Sequence, residues 1–525
     1  MEKKLLFYIR SLISGREIVV LSALLITVFT VSATILFSID KYIFIYFGDA
    51  ASHIVRARQF IDSQQPGIYN IGTVWLPVPH LVLLPLTLID PLFYSGIAGT
   101  ISGAVFLTGT CICLYLIIRE TAGSVPAALS GALLFGLNPN VLYICMAPMN
   151  EASLFFFIAL GGYMFMRWLK SGSDNLLMAC SISVMIATLC RYEAWAVVPF
   201  IVIISAERII HALKMKQTVR SMHLLLIAVV CSGGIIAWLV WNHFAYGDFI
   251  KFARWTYSIA PDGERGLIRK EPFVALLLFV RAILNIFGII PFIFAALGLT
   301  YLLKSKDRHN HFLMFIYFLL PVLFIMLSVM SGFVLIDKWQ WNWRFMLILG
   351  LFLSVAAGTG LASAYRMRVP VTIKVLLFAA LLSMPVIQMT DSTVGVAIYN
   401  DARRIFTDST KYATFMGERL QKYNTGGKKI ALITGYGLAQ RIMITSRLPL
   451  KNFRIIYNPA KTERMEPSTI SERYVVLGKD SLPETSRVLA RWMSERNKWV
   501  QNFSILYEDR HYMLLERRFP DAHDN

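Results

Sequence analysis

Apolar runs of near-membrane length recur through the first three quarters of the chain, separated by short polar loops. They cover residues 19–37, 93–118, 125–145, 152–166, 176–189, 195–204, 224–241, 273–303, 312–335, 345–361 and 375–389. A helix needs about 20 apolar residues to cross a hydrocarbon core, so the pattern predicts about eleven transmembrane helices. The runs 176–189 and 195–204 are short for a span. The first run is long and is not followed by a small-residue cleavage site, which predicts an anchor rather than a removed signal segment. Beyond about residue 400 the pattern changes. Stretches 429–435, 474–478, 503–507 and 512–516 read as strands, 481–499 reads as an amphipathic helix, and no run is long enough to span. The expected fold is a polytopic α-helical membrane protein, with a transmembrane domain over 1–395 and a soluble extracytoplasmic α/β domain over 396–525.

Composition agrees. The chain is 56% hydrophobic and only 16% charged, against about a quarter charged in soluble domains, which excludes an ordinary soluble globular protein. Lys and Arg number 51 against 32 acidic residues, a formal charge of +19. In this setting the excess reports topology rather than nucleic-acid binding. Lys3, Lys4, Arg10, Arg16, Arg119, Arg167, Lys170, Arg208, Lys214, Lys216, Arg220, Lys304, Lys306, Arg308, Arg366 and Arg368 fall on one side of the counted spans. The positive-inside rule makes that side cytoplasmic, together with the N-terminus. The Asp49 loop, 148–151, 191–193, 243–271, 337–344 and the C-terminal region then face outward.

The outward loops nevertheless carry Arg56, Arg58, Lys251, Arg254, Arg265, Arg269, Lys270, Lys338 and Arg344. Interfacial snorkelling accounts for most such cations. Lys338 and Arg344 stand among Trp339, Trp341, Asn342 and Trp343 at a helix entrance, a setting suited to a phosphate or an anionic headgroup. The six cysteines lie in or beside apolar runs, so no disulfide framework is implied, and Cys111-x-Cys113 reads as packing.

The densest candidate chemistry follows the first run. Gly48-Asp49-Ala50-Ala51-Ser52-His53 leads to Arg56 and Arg58, and Gly72-Thr73-Val74-Trp75-Leu76-Pro77-Val78-Pro79-His80 comes next. This reads as an active site at the membrane face. Asp49 is either a base or the N-cap of a helix over 50–62. His53, one helical turn on, orients that carboxylate, touches phosphate, or joins Asp49 and His80 around a metal; the residues leave these open. Trp75, with Pro77 and Pro79, shapes a rigid return into the bilayer or stacks on a sugar. Glu151, after Ala147-Pro148-Met149-Asn150, is a functional acid or a charge at a helix N-terminus. Arg191 and Glu193 pair with each other, or Arg191 reaches a phosphate. Arg344 is the better phosphate ligand, its planar fork matching phosphate oxygens. Gly435-Tyr436-Gly437 follows a strand but lacks the third glycine of a nucleotide-binding turn.

These residues resemble the GT-C superfamily of membrane glycosyltransferases. The pattern Gly48-Asp49-Ala50-x-x-His53, Ala57-Arg58, Pro66-Gly67 and Gly72-Thr73-Val74-Trp75-Leu76-Pro77-x-Pro79-His80 is similar to prokaryotic glycosyltransferase family 39-like proteins, relatives of polyprenyl-phosphate-mannose protein mannosyltransferases. Arg191-Tyr192-Glu193-Ala194-Trp195 and Trp241-Asn242-x-x-x-x-Gly247-Asp248 extend the likeness, which covers residues 15–395. The paired acidic motif of that family is reduced here to Asp49 followed by Ala50. The resemblance implies a polyprenyl-phosphate-sugar donor, an acceptor that is a glycan, lipid or protein, and a place in a prokaryotic plasma membrane. It implies Asp49 as catalytic base, with Glu151 as a second acid, and Arg58, Trp75, His80, Arg191, Glu193, Lys338 and Arg344 as substrate contacts beside His53.

Elementary chemistry fits the resemblance. A phosphate leaves without protonation, so inverting transfer needs one base for the acceptor hydroxyl and cations for the departing charge. The residues name no cofactor, and a divalent cation is left open. The alternative from another class is a multi-pass transporter or lipid flippase for an anionic substrate.

Overall fold

A computed structural model describes residues 2–70, 72, 74–258, 271–366, 370–390, 396–406, 408–423, 427–456, 470–479 and 502–518. Within it the long apolar runs are helices, the arrangement that satisfies every backbone donor and acceptor where lipid offers no partner. Eight described helices are long and apolar enough to cross a membrane, or ten if each of two bent pairs counts as one span. These ten take up ten of the eleven runs. The remaining run forms Asp174–Thr188, a helix of 15 residues, short for a crossing.

The bends have local causes. Val125–Gly136 and Pro139–Met146 meet at 57°. Asn138 caps the second of these by accepting from the N–H groups of Asn140 and Val141, and Pro139 needs no donor partner in the first turn. Pro272–Phe287 and Ile290–Leu303 are bent by 97°, so the run expected to be one span over 273–303 is two helices. Gly288 ends the first at φ 72°, a conformation glycine adopts without strain, and Pro291 stands in the first turn of the next. The two breaks are stitched together inside the bundle. Asn138 Nδ2 donates to the Ile286 carbonyl at 2.9 Å and to Gln388 Oε1 at 3.1 Å, and Gln388 donates to the same carbonyl.

Helix Ile290–Leu303 packs on Leu349–Arg366 through glycines that let the backbones touch. A Cβ on Gly298 would overlap the Ala356 carbonyl, and one on Gly360 would overlap that of Phe294. Gly360→Ala is therefore expected to lower stability by about 1–3 kcal/mol. Gly15→Ala, where nothing lies within 4 Å, should leave it unchanged. Thermal midpoints of the two variants in detergent check this. All six cysteines are buried thiols.

The chain divides into two compact units. The first comprises Met1–Asp40, Thr73–Pro79 and Thr100–Asp401, and the second Lys41–Gly72, His80–Gly99 and Ala402–Asn525. The second unit thus draws in two stretches from before residue 100 along with the C-terminal region.

Its centre is a five-stranded sheet of β1 (Ile430–Ile433), β2 (Phe453–Ile455), β3 (Tyr474–Gly478), β4 (Phe503–Glu508) and β5 (Tyr512–Arg517), in the order β2-β1-β3-β5-β4. β1 runs parallel to β2 and β3, with Ile430 opposite both Phe453 and Tyr474, while β5 is antiparallel to β3 and β4. Four strands match the expected stretches; three-residue β2 was not anticipated. The helix expected over 481–499 lies outside the described residues, as do Arg265, Arg269, Lys270 and Arg368. One sheet face, with Ile430, Leu432, Val476 and Leu514, shares a core with Ala51, Ile54 and Val55 of the helix that carries Asp49.

Candidate active site

In the second unit, helix Gly48–Gln59 presents Asp49 in its first turn. Its N-cap is Phe47, in extended conformation and without a side-chain cap bond, so the helix starts two residues earlier than expected and Asp49 is not its cap. Asp49 is half-buried, beside the positive end of the helix dipole. One turn on, His53 Nδ1 lies 2.8 Å from Nε2 of His80, and the two rings are only 2% and 1% exposed. One ring must donate and the other accept, so at most one carries a proton on both nitrogens while this bond stands.

The Asp49 helix is anchored at both ends. Near its start, Gly48 approaches helix Tyr436–Thr445 closely: a Cβ on Gly437 would sit 3.6 Å from Gly48 Cα. The Gly435-Tyr436-Gly437 turn thus opens a helix packed on the Asp49 helix, alongside Ala439, Ile442 and Met443 of the shared core. Near its end, Arg58 pairs with Asp62 at 3.3 Å and Asp90 at 2.6 Å, donates to the Thr87 carbonyl at 3.1 Å, and lies over the Phe93 ring. Asp62 in turn accepts from the N–H groups of Leu450 and Lys451, both at 3.0 Å. These partners engage the guanidinium of Arg58, one of the implied substrate contacts, as a structural clamp. Arg58→Met is expected to lower stability by about 1–3 kcal/mol, read as a shifted unfolding midpoint.

In the first unit a second cluster forms around Glu151, the first residue of helix Glu151–Ser171 and 2% exposed. Arg191 Nη1 donates to Glu151 Oε1 at 2.9 Å. Its Nε and Nη2 donate to Glu193 Oε1 at 2.9 and 2.7 Å. Arg344 Nε lies 3.6 Å from the same Glu151 oxygen, and both guanidiniums lie over the Phe345 ring. Two cations thus balance two carboxylates in a buried network. The second oxygen, Glu151 Oε2, is buried and has no hydrogen-bond partner among the described residues.

Arg344 is positioned by the hydrogen bonds of the 337–344 loop. Asp337 Oδ1 accepts from the N–H groups of Trp339 and Trp341, and its carbonyl accepts from Trp343 Nε1. Gln340 and Asn342 take φ of 74° and 59°, left-handed values uncommon outside glycine. Asn342 N–H donates to Asp401, and its side chain to the Leu335 carbonyl. The usable signal was Asp two residues before a backbone donor, an Asx-type turn. Lys338 is exposed, its ammonium 5.2 Å from the Trp339 ring centre.

Trp75 is half-buried in a segment pinned to the first unit. Tyr192 donates to the Val74 carbonyl at 2.6 Å, Val78 N–H donates to Leu189 at 3.1 Å, and Leu76 packs with Trp238 and Phe252. The structure therefore brings Glu151, Arg191, Glu193 and Arg344 together in one unit, and Asp49, His53 and His80 into neighbouring positions in the other. Among the described residues no group of three His, Cys, Asp or Glu side chains is placed to hold a metal ion.

Two solved structures share the architecture: ArnT from Cupriavidus metallidurans bound to undecaprenyl phosphate (TM-score 0.57) and the same protein in the apo state (TM-score 0.56). Each is 11% identical and covers 93% of this chain and 97% of its own. No family model and no curated protein matches.

Proposed function

From the premise that this chain has the ArnT-like GT-C fold, we propose that it is an integral-membrane glycosyltransferase, moving a sugar from a polyprenyl-phosphate-linked donor to an acceptor on the extracytoplasmic side. The observation that carries the reading is agreement over nearly the whole chain with a structure that holds undecaprenyl phosphate. The buried carboxylate–guanidinium cluster at Glu151 adds support at the level of residues.

In the proposed reaction the acceptor oxygen attacks the anomeric carbon and loses its proton to the Asp49 carboxylate. The bond from that carbon to the phosphate oxygen breaks, the electron pair leaves with the lipid phosphate, and the configuration inverts. Arg344 stabilises the charge that develops on the departing phosphate. Arg191 keeps the Glu151 carboxylate oriented, and Glu151 Oε2 accepts from a hydroxyl of the bound sugar. The His53–His80 pair holds the Asp49 helix in register with its neighbours. Arg58 is left out of the phosphate set, and exposed Lys338 adds charge at its rim.

A carrier would leave half-helix ends and unwound backbone groups at its helix breaks open to substrate or coupling ions. At the breaks here Asn138 Oδ1 caps the second half-helix, and the Ile286 carbonyl accepts from Asn138 and Gln388. The test is transfer of label from a panel of radiolabelled polyprenyl-phosphate sugars in membranes containing the protein. Incorporation from one donor supports the reading; movement of unmodified lipid across the bilayer with no incorporation would overturn it in favour of a flippase.

A further inference from the structure

The second unit contains a cavity of about 690 Å³ walled by Lys41 and Tyr42 and by residues between 415 and 507. That volume falls within the roughly 300–1,000 Å³ of small-ligand sites. Its wall carries four cations, Lys41, Arg419, Lys422 and Arg447, against one carboxylate, Glu418. Glu418 is already engaged, by Lys41 Nζ at 3.1 Å and by the Tyr42 hydroxyl at 3.2 Å. Among the described residues Arg419, Lys422 and Arg447 have no carboxylate partner, and the Arg419 guanidinium lies over Tyr507, 3.8 Å from the ring centre. Three cations sharing a concave wall repel one another, so a ligand that neutralises them binds there favourably.

Arg447 carries a second signal. It follows helix Tyr436–Thr445 with φ 53°, the left-handed position at which helices usually place glycine. A side chain there costs of order 1 kcal/mol, and strained positions of this kind cluster at ligand sites. The remaining wall supplies an exposed aromatic, Phe415, with Gln421 as a hydrogen-bonding group, a mixture that suits a sugar ring. Lys41 stands two residues beyond Ile39, the last residue of the first span, so the cavity rim is tied by the chain to a membrane boundary.

We infer that this cavity binds a phosphorylated saccharide, free or as the headgroup of a lipid. The inference is separate from the transfer reaction, because substitutions at Arg447 and Lys422 read this cavity alone; its failure leaves the previous reading standing.

The experiment uses the full-length protein in phosphatidylcholine nanodiscs and measures binding of N-acetylglucosamine 1-phosphate, N-acetylglucosamine, inorganic phosphate and N-acetylglucosamine 1-phosphate carrying a C16 alkyl chain. The phosphorylated sugar should bind, and the uncharged sugar should not. Tighter binding of the alkylated form assigns the site to a lipid headgroup; equal binding of both assigns it to a free saccharide phosphate. Arg447→Gly should weaken binding about tenfold, the worth of one charge-assisted contact. The same change should leave the unfolding midpoint unchanged or raised, because glycine fits the left-handed backbone. Lys422→Ala serves as a second, exposed variant. No binding of either phosphorylated probe, binding that survives both substitutions, or equal affinity for inorganic phosphate alone would overturn the inference.

Discussion

Asp49→Asn is expected to slow sugar transfer by a factor of roughly 10²–10⁴, the usual worth of a positioned general base. The substitution keeps the side chain's size and removes its basicity. Because Asp49 is half-buried and lies outside the Arg58 clamp, the unfolding midpoint should move little. Donor binding, measured with a fluorescent polyprenyl phosphate, should also persist. The informative readout is the split between turnover and donor affinity. Equal transfer by wild type and Asp49→Asn would remove this residue from the chemistry and shift attention to Glu151, whose second oxygen is a buried acceptor with no hydrogen-bond partner among the described residues.

The second large effect is expected in stability. Arg191→Met removes the group that donates three hydrogen bonds to Glu151 and Glu193 and leaves two buried carboxylates with Arg344 at 3.6 Å from one of them. Breaking a buried ion pair from one side costs about 3–5 kcal/mol, because the remaining charge stays desolvated. Adding Glu193→Gln to Arg191→Met should recover a substantial part of that loss by removing one stranded charge. Chemical-denaturation midpoints of the three proteins in one detergent decide the matter. An unchanged midpoint for Arg191→Met would mean that the network contributes nothing to stability and is kept for substrate alone.

Much of this architecture was legible in the chain. Apolar runs report helices directly, since a spanning segment must satisfy its own backbone, and four of the five strands carry alternating or continuous apolar residues. The pairing of Arg191 with Glu193 was open as one of two readings, and the structure shows the pairing. What escaped is non-local or too short to have a period. The bend of 97° rests on Gly288 and Pro291 inside a run that reads as one span. Strand β2 has three residues, one of them Arg454, paired with Glu472. Arg58 and Asp62 announce themselves as an i,i+4 pair, but the tie from Arg58 to Asp90 does not, nor does the junction of Asp62 with residues 450 and 451. A contact between distant stretches leaves no periodic trace in either.

That last junction sets an order of events in synthesis. The Asp62 carboxylate and the Lys451 N–H that meets it are 389 residues apart, with most of the spans between them. At roughly 5–20 residues per second, a ribosome takes about 20–80 seconds to travel from one to the other. During that time the helix bearing Asp49 exists without the strands and helix that complete its core. The unit has high contact order, so its assembly waits on the tail of the chain. A nascent or prematurely terminated protein therefore has inserted spans but no finished Asp49 support, and competence arrives only with the last strands.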